Sequence, residues 1–244
     1  MKSKDPEVFI TEAIEAYMGI VQTVYADSLK MAALYGSAAT GTYVPSVSDI
    51  NLLCVVDPAS PRRLFDLGER SRKVTRKYRI TPHILSLKEL ETSSDVFPVE
   101  YLEIGETMEL LHGTDLISSL EIDRKNLRHQ VETMVRGEIN SLRQLIITSF
   151  SRQKLFALEL REWAGRQSAL FRGVLRLTGR EQGISRHDII EHLAETFDIP
   201  QRPLLELEDL REGVKLSRDL QEVVSELLLA YIAVAEKIDG PEYR

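Results

Sequence analysis

The chain has 244 residues, 43% hydrophobic and 28% charged, with a net charge of −7, which suits one large globular domain or two small ones. No apolar run has the roughly 20 residues that cross a bilayer, and Met1–Pro6 lacks the apolar core of a signal peptide, so a soluble, cytoplasmic protein is expected. The acidic balance argues against broad affinity for nucleic acid or anionic membrane, and a single cysteine, Cys54, argues against a disulfide framework or a cysteine zinc site.

In chain order, Asp5 followed by Pro6 predicts a capped helix over Pro6–Leu29, with Ile10, Ile14, Tyr17, Val21, Val24 and Leu29 at helical spacing. Lys30–Tyr35 reads as a short buried strand ended by Gly36-Ser37. A polar loop with Gly41 and Pro45 as breakers then runs through Ser48. The continuous apolar run Asn51–Val56 predicts a strand covered on both faces, with Cys54 as a small buried hydrophobe. Pro58 and Pro61 mark a turn, and Pro61–Lys77 is a basic helix whose inner side is expected at Leu64 and Leu67. Arg79–Leu87 is a third strand, where Pro82 implies an edge or a bulge. A fourth is expected at Thr107–Leu111, before a turn at His112-Gly113-Thr114-Asp115.

After Leu120 strand signals cease. Asp123 caps a helix to about Phe150, with Leu127, Val131, Met134, Val135, Leu142, Leu145 and Ile146 as its stripe. Gln153–Leu177 reads as one helix containing Trp163, expected in the core or at a homodimer interface. Ser185-Arg186-His187-Asp188 opens a third helix that ends before Pro200. Pro203–Ile238 holds one long helix or two, broken at Gly213. The division expected is an α/β domain over 1–120 and an all-α helical bundle over 121–244, an α+β chain as a whole.

The stretch Leu34–Val56, LYGSAATGTYVPSVSDINLLCVV, carries the chemistry. Gly36 lets backbone approach a ligand closely, and Ser37 offers a hydroxyl and an N–H to phosphate oxygens. Asp49 and residue 51 are two apart on one strand, so both side chains emerge on one face. Two acids so placed would hold a divalent metal against triphosphate oxygens. The bland alternatives are an ordinary strand-to-loop turn for Gly36-Ser37 and a strand-start cap for Asp49.

Here the chain resembles the nucleotidyltransferase superfamily, the polymerase-β-like fold of kanamycin and streptomycin nucleotidyltransferases. The pattern is Gly-Ser, a gap of about ten residues, then Ser-Asp-x-Asp opening a strand, matched here by Gly36-Ser37 and Ser48-Asp49-Ile50-Asn51 over roughly residues 30–120. The resemblance implies a mixed sheet with helices, a nucleoside triphosphate held by Gly36, Ser37 and Ser48, and Mg²⁺ on Asp49 and Asn51 as catalytic and metal residues. The helical half carries no motif matched to the family.

Two departures bear on catalysis. The second carboxylate is replaced by Asn51, and the strand expected to bring the third holds no acid, His83 being the nearest positional candidate. Two Mg²⁺ ions about 4 Å apart repel by roughly 4 kcal/mol even at a dielectric of 80. Asn51 offers a carbonyl oxygen but no charge, and imidazole suits Mg²⁺ poorly. The expectation is therefore a nucleotide-binding member with transfer reduced or lost. An active transferase acting on a small-molecule or macromolecular hydroxyl would need another acid, with Glu100, Glu103 or a glutamate of the helical domain as candidates. A regulatory, antitoxin-like protein is a third reading. The basic run Arg62, Arg63, Arg70, Arg72, Lys73, Arg76 and Lys77 is taken as a solvated face, and Arg128, Arg136 and Arg143 as partners of Glu132 or Glu138.

Overall fold

Asp5 accepts the Glu7 N–H at 3.1 Å and Pro6 occupies the first helical position, starting α1 (Pro6–Tyr25) in the computed structural model, which describes residues 5–45, 48–179, 185–214, 216–240 and 243. Residues 46 and 47 of the loop before Ser48, and residue 215, lie outside that description. The chain divides into two compact units, Met1–Ile122 and Asp123–Arg244.

In the first unit, α1 stops earlier than its apolar spacing predicts, because Ala26 turns to φ 44. Leu29 therefore opens β1 (Leu29–Tyr35) instead of closing the helix. Next come β2 (Ile50–Val56), α2 (Pro61–Tyr78), β3 (Ile80–Ser86), α3 (Leu87–Thr92), α4 (Pro98–Thr107) and β4 (Glu109–Gly113). The mixed sheet has the order β3-β2-β1-β4, with β2 parallel to β3 and β1 antiparallel to both β2 and β4. Pro82 sits on the edge strand β3, where its missing N–H breaks no ladder on the outer side.

Alternation along β2 gives the sheet two apolar faces. Ile50, Leu52, Cys54 and Val56 pack with Tyr17, Val21 and Tyr25 of α1 and Leu67 of α2. Leu53 and Val55 pack with Leu90 of α3 and with Tyr101 and Ile104 of α4. Cys54 is fully buried, and burial pushes its thiol up to about 12. Leu67 lies inward as expected, but Leu64 is 40% exposed.

The segment 87–107 departs most from the sequence reading. Ser86 and Glu89 form a capping box that starts α3, and Pro98 takes the first position of α4. Thr107 thus ends a helix rather than opening a strand. Gly113 belongs to β4, paired with Met31, rather than to a turn.

The second unit is all helical among the described residues. Asp123 accepts the Lys125 N–H at 2.7 Å and caps α5 (Arg124–Ser149). The single helix expected over Gln153–Leu177 is two, α6 (Gln153–Gly165) and α7 (Gln167–Thr178), separated at Arg166. A capping box of Ser185 and Asp188 opens α8 (Arg186–Phe197). Gly213, at φ 84, ends α9 (Gln201–Glu212) before α10 (Leu220–Ile238). Trp163 is buried against Tyr231, whose hydroxyl donates to Gln167 Oε1 at 2.9 Å. Arg128 and Arg136 both pair with Glu132 and with Asp239. No helix among the described residues is long and apolar enough to cross a membrane.

Candidate functional site

β1 ends where β2 begins, and the pairing of Tyr35 with Asn51 sets the Gly36-Ser37 turn beside the start of β2. Gly36 takes φ +73, a left-handed conformation that side chains resist. A Cβ there would lie 3.2 Å from Asn51 Nδ2, so the amide of Asn51 covers the turn. The Gly36 carbonyl accepts the N–H groups of Ala39 and Thr40 at 3.0 and 3.1 Å, closing a short 3₁₀ turn over Gly36–Ala38. The Gly36 N–H donates to Thr107 Oγ1 at 3.1 Å, tying the turn to the end of α4. Ser48 serves the loop itself: its hydroxyl accepts the Val44 N–H at 3.0 Å.

The parallel pairing of Ile50 with Ile80 extends one residue back to set Asp49 beside Arg79. Asp49 Oδ1 accepts from Arg79 Nε at 3.0 Å and from Nη2 at 2.9 Å. Both side chains are nearly half exposed, 47% for Asp49 and 45% for Arg79, so the pair contributes only about 0–1 kcal/mol to folding. Arg79 is the left-handed C-cap of α2, at φ 54, and its carbonyl accepts the Ile50 N–H at 3.0 Å. Thr81 and His83 lie in register with Asn51 and Leu53, on the face covered by α3 and α4. Burial holds the His83 imidazole below the ordinary histidine value, opposed by the nearby Glu100 carboxylate.

This donor set fits Mg²⁺ poorly. Of the three positions the sequence pattern points to, only Asp49 is acidic. Asn51 is neutral, β3 contributes Thr81 and His83, and no group of three His, Cys, Asp or Glu side chains suited to a metal occurs among the described residues. The guanidinium against Asp49 adds a penalty. A dication about 4 Å from it would be repelled by roughly 2 kcal/mol at a dielectric of 80 and roughly 8 kcal/mol at 20.

The sequence reading placed Gly36, Ser37, Ser48, Asp49 and Asn51 here, and the register brings Gly36, Asn51 and Asp49 to one end of the sheet. It did not find Arg79 or Thr107. Arg79 was legible in principle, since a parallel strand–helix–strand connection out of β2 puts the residue before β3 beside the residue before β2. Thr107 carried no signal, because its role depends on where α4 ends.

A family model described as nucleotidyltransferase domain matches residues 19–154, more than half of the chain. Among solved structures, a spectinomycin adenyltransferase from Enterococcus faecialis, crystallised with ATP and spectinomycin, aligns with a TM-score of 0.58 at 13% identity over 94% of this chain and 99% of that one. That likeness is one of fold. No curated protein matches the sequence. With the Gly-Ser turn set against the Ser-Asp-x-Asn strand and the family match running through both, the chain belongs to the nucleotidyltransferase domain family.

Proposed function

We propose that this chain binds a nucleoside triphosphate at the Gly36-Ser37 turn and that its nucleotidyl transfer is reduced or lost. The observation that carries the proposal is the Arg79–Asp49 pair beside Asn51: the one acid of the motif is already engaged by a cation. Without a charged metal clamp, the charge developing on the transferred phosphoryl group lacks its main stabiliser, and an acceptor hydroxyl lacks an activating partner. The turn itself is intact, and the spectinomycin adenyltransferase of like fold was crystallised with ATP. Titrating ATP, GTP, CTP and UTP with and without Mg²⁺, with product analysis, tests the proposal. Binding without turnover supports it, and turnover at an ordinary enzymatic rate of about 1 per second or more refutes the loss. Absence of binding refutes the nucleotide site.

A second reading, an active transferase on a small-molecule hydroxyl, is favoured by the nearness of Glu100 to His83 on the same face of the sheet. Burial favours the neutral imidazole, the form that can accept a proton, with the Glu100 carboxylate nearby. Under this reading Glu100→Gln and His83→Gln each abolish transfer while leaving nucleotide affinity in place. Under the first reading any residual transfer is slow and does not depend on these two residues.

A further inference from the structure

Charge is unevenly spread over the first unit. In a chain of net charge −7, α2 alone holds seven lysines and arginines against Asp66 and Glu69. We propose that the outer face of α2 binds a single-stranded nucleic acid, with phosphates on Arg62, Arg72, Lys73 and Arg76 and a base stacked on Phe65. This surface does not depend on the nucleotide site proposed above.

Helical geometry gathers these five side chains. Arg62, Phe65, Arg72, Lys73 and Arg76 fall within an arc of about 100° and along about 21 Å of the helix axis. The opposite side of α2 is buried through Leu67, Ser71 and Tyr78. The other three cations of the helix are occupied. Arg63 donates to Ser28 Oγ at 2.6 Å, Arg70 pairs with Asp66 at 2.7 Å, and Lys77 lies over the Tyr78 ring and donates to its hydroxyl at 2.6 Å. Arg62, Arg72, Lys73 and Arg76 are exposed and make no side-chain hydrogen bond or ion pair among the described residues. Phe65 stands in their midst, 82% exposed. Gly68, about one turn on, has nothing within 4 Å of where a Cβ would stand, so a flat ring can lie against Phe65 there.

The combination of groups selects the partner. Arginine forks suit phosphate oxygens, and Arg72 and Arg76 are about 6 Å apart along the axis, so they can take neighbouring phosphates of one strand. Every nucleotide brings a flat base with its phosphate, which answers both the cations and the exposed ring. An acidic peptide answers only the charges. A lipid surface finds little to bury in one phenylalanine, because the main apolar stripe of α2 faces the core. Acids farther than about 8 Å away are largely screened at physiological salt, so the net charge of the chain weakens this face without cancelling it. Glu69, a carboxylate on the face itself, opposes binding.

Fluorescence anisotropy of the full chain with labelled oligo(U) and oligo(dT) of about twelve nucleotides, over a series of salt concentrations, tests the inference. Four phosphate contacts predict that log K falls against log salt with a slope of about −3, since each contributes about −0.7. Arg72→Gln with Arg76→Gln is expected to halve that slope. Phe65→Ala is expected to weaken binding by about 5- to 150-fold and to leave the slope unchanged. Glu69→Gln is expected to tighten binding severalfold, which loss of a structural contact would not do. No binding at low salt overturns the inference, as does binding that these substitutions leave unchanged. Equal or tighter binding of polyglutamate, or of vesicles containing phosphatidylserine, overturns the choice of nucleic acid. Displacement of the oligonucleotide by ATP assigns it to the Gly36-Ser37 turn and overturns the α2 site, whereas failure of ATP to bind leaves the α2 site standing. The substituted residues are exposed, and the wild-type slope decides by itself if a variant does not fold.

Discussion

Replacing Gly36 by alanine tests the geometry of the turn, because two costs arise there and can be measured apart. At φ +73 the new Cβ meets left-handed strain of roughly 1–2 kcal/mol. Alanine returns about 0.4–1 kcal/mol by restricting the unfolded chain, leaving a net loss of about 1 kcal/mol. The Cβ also lies 3.2 Å from Asn51 Nδ2, so the amide must rotate away. Turning a side chain by about 30° from its preferred rotamer costs roughly 0.5–1.5 kcal/mol. The total for Gly36→Ala is then about 2 kcal/mol. Gly41 is a natural control: it has φ +72 and nothing within 4 Å, so Gly41→Ala carries the strain alone, about 1 kcal/mol. In an Asn51→Ala background the steric part vanishes and Gly36→Ala falls to the same value. Native-state hydrogen exchange of β1 and β2 peptides across the four variants gives the opening free energies. A coupling of about 0.5–1.5 kcal/mol between residues 36 and 51 is expected. Equal losses at Gly36 and Gly41, regardless of residue 51, would refute the placement of Asn51 over the turn.

Gly113→Ala is expected to be worse than either, since its Cβ would lie 1.9 Å from the Lys30 carbonyl oxygen at φ +78; a loss of about 2–5 kcal/mol should appear as a sharp fall in Tm. His83 should titrate below the ordinary histidine value in an NMR pH series, and Glu100→Gln should lower it further by removing the charge that raises it. The folded form then binds fewer protons than the unfolded chain between the folded and the ordinary value. Stability is therefore full above about pH 6.5 and falls as the pH drops toward the folded value, a loss that His83→Gln should abolish in urea titrations. Cys54 should resist iodoacetamide at pH 8 in the native protein and react fully in denaturant, because burial pushes its thiol up to about 12.

The strands of the first unit were legible because their apolar runs are bounded by glycine, proline or a polar turn. Lys30–Tyr35 and Asn51–Val56 were displaced by one residue at most from β1 and β2. The helices α3 and α4 were missed, although Ser86 with Glu89 and the proline at position 98 are both helix-start signals. Each helix is short, with an apolar stripe too brief to show a period. The break between α6 and α7 left no trace, since Gly165-Arg166 interrupts no apolar spacing. Leu64 was assigned inward with Leu67, but it lies about 60° round the helix from Leu67, far enough to leave it 40% exposed. At the candidate site, Gly36, Asp49 and Asn51 came from local pattern, whereas Arg79 and Thr107 act across 30 and 71 residues of chain.

The pairing of Asp49 with Arg79 bears on the chemistry of the site. Losing a carboxylate at residue 51 alone would leave Asp49 as a lone anion at the end of a sheet, open to any cation. Arg79 supplies that cation at a left-handed helix cap, a position that glycine fills with less strain. The ion pair is nearly half exposed, so by itself it contributes only about 0–1 kcal/mol. That cation carries a chemical cost: a guanidinium binds phosphate oxygens, but it does not polarise a phosphoryl group as a divalent ion does, nor does it lower the pKa of a bound hydroxyl. The proposed reading, a nucleotide held with little transfer from it, follows from that difference between a guanidinium and a divalent metal ion.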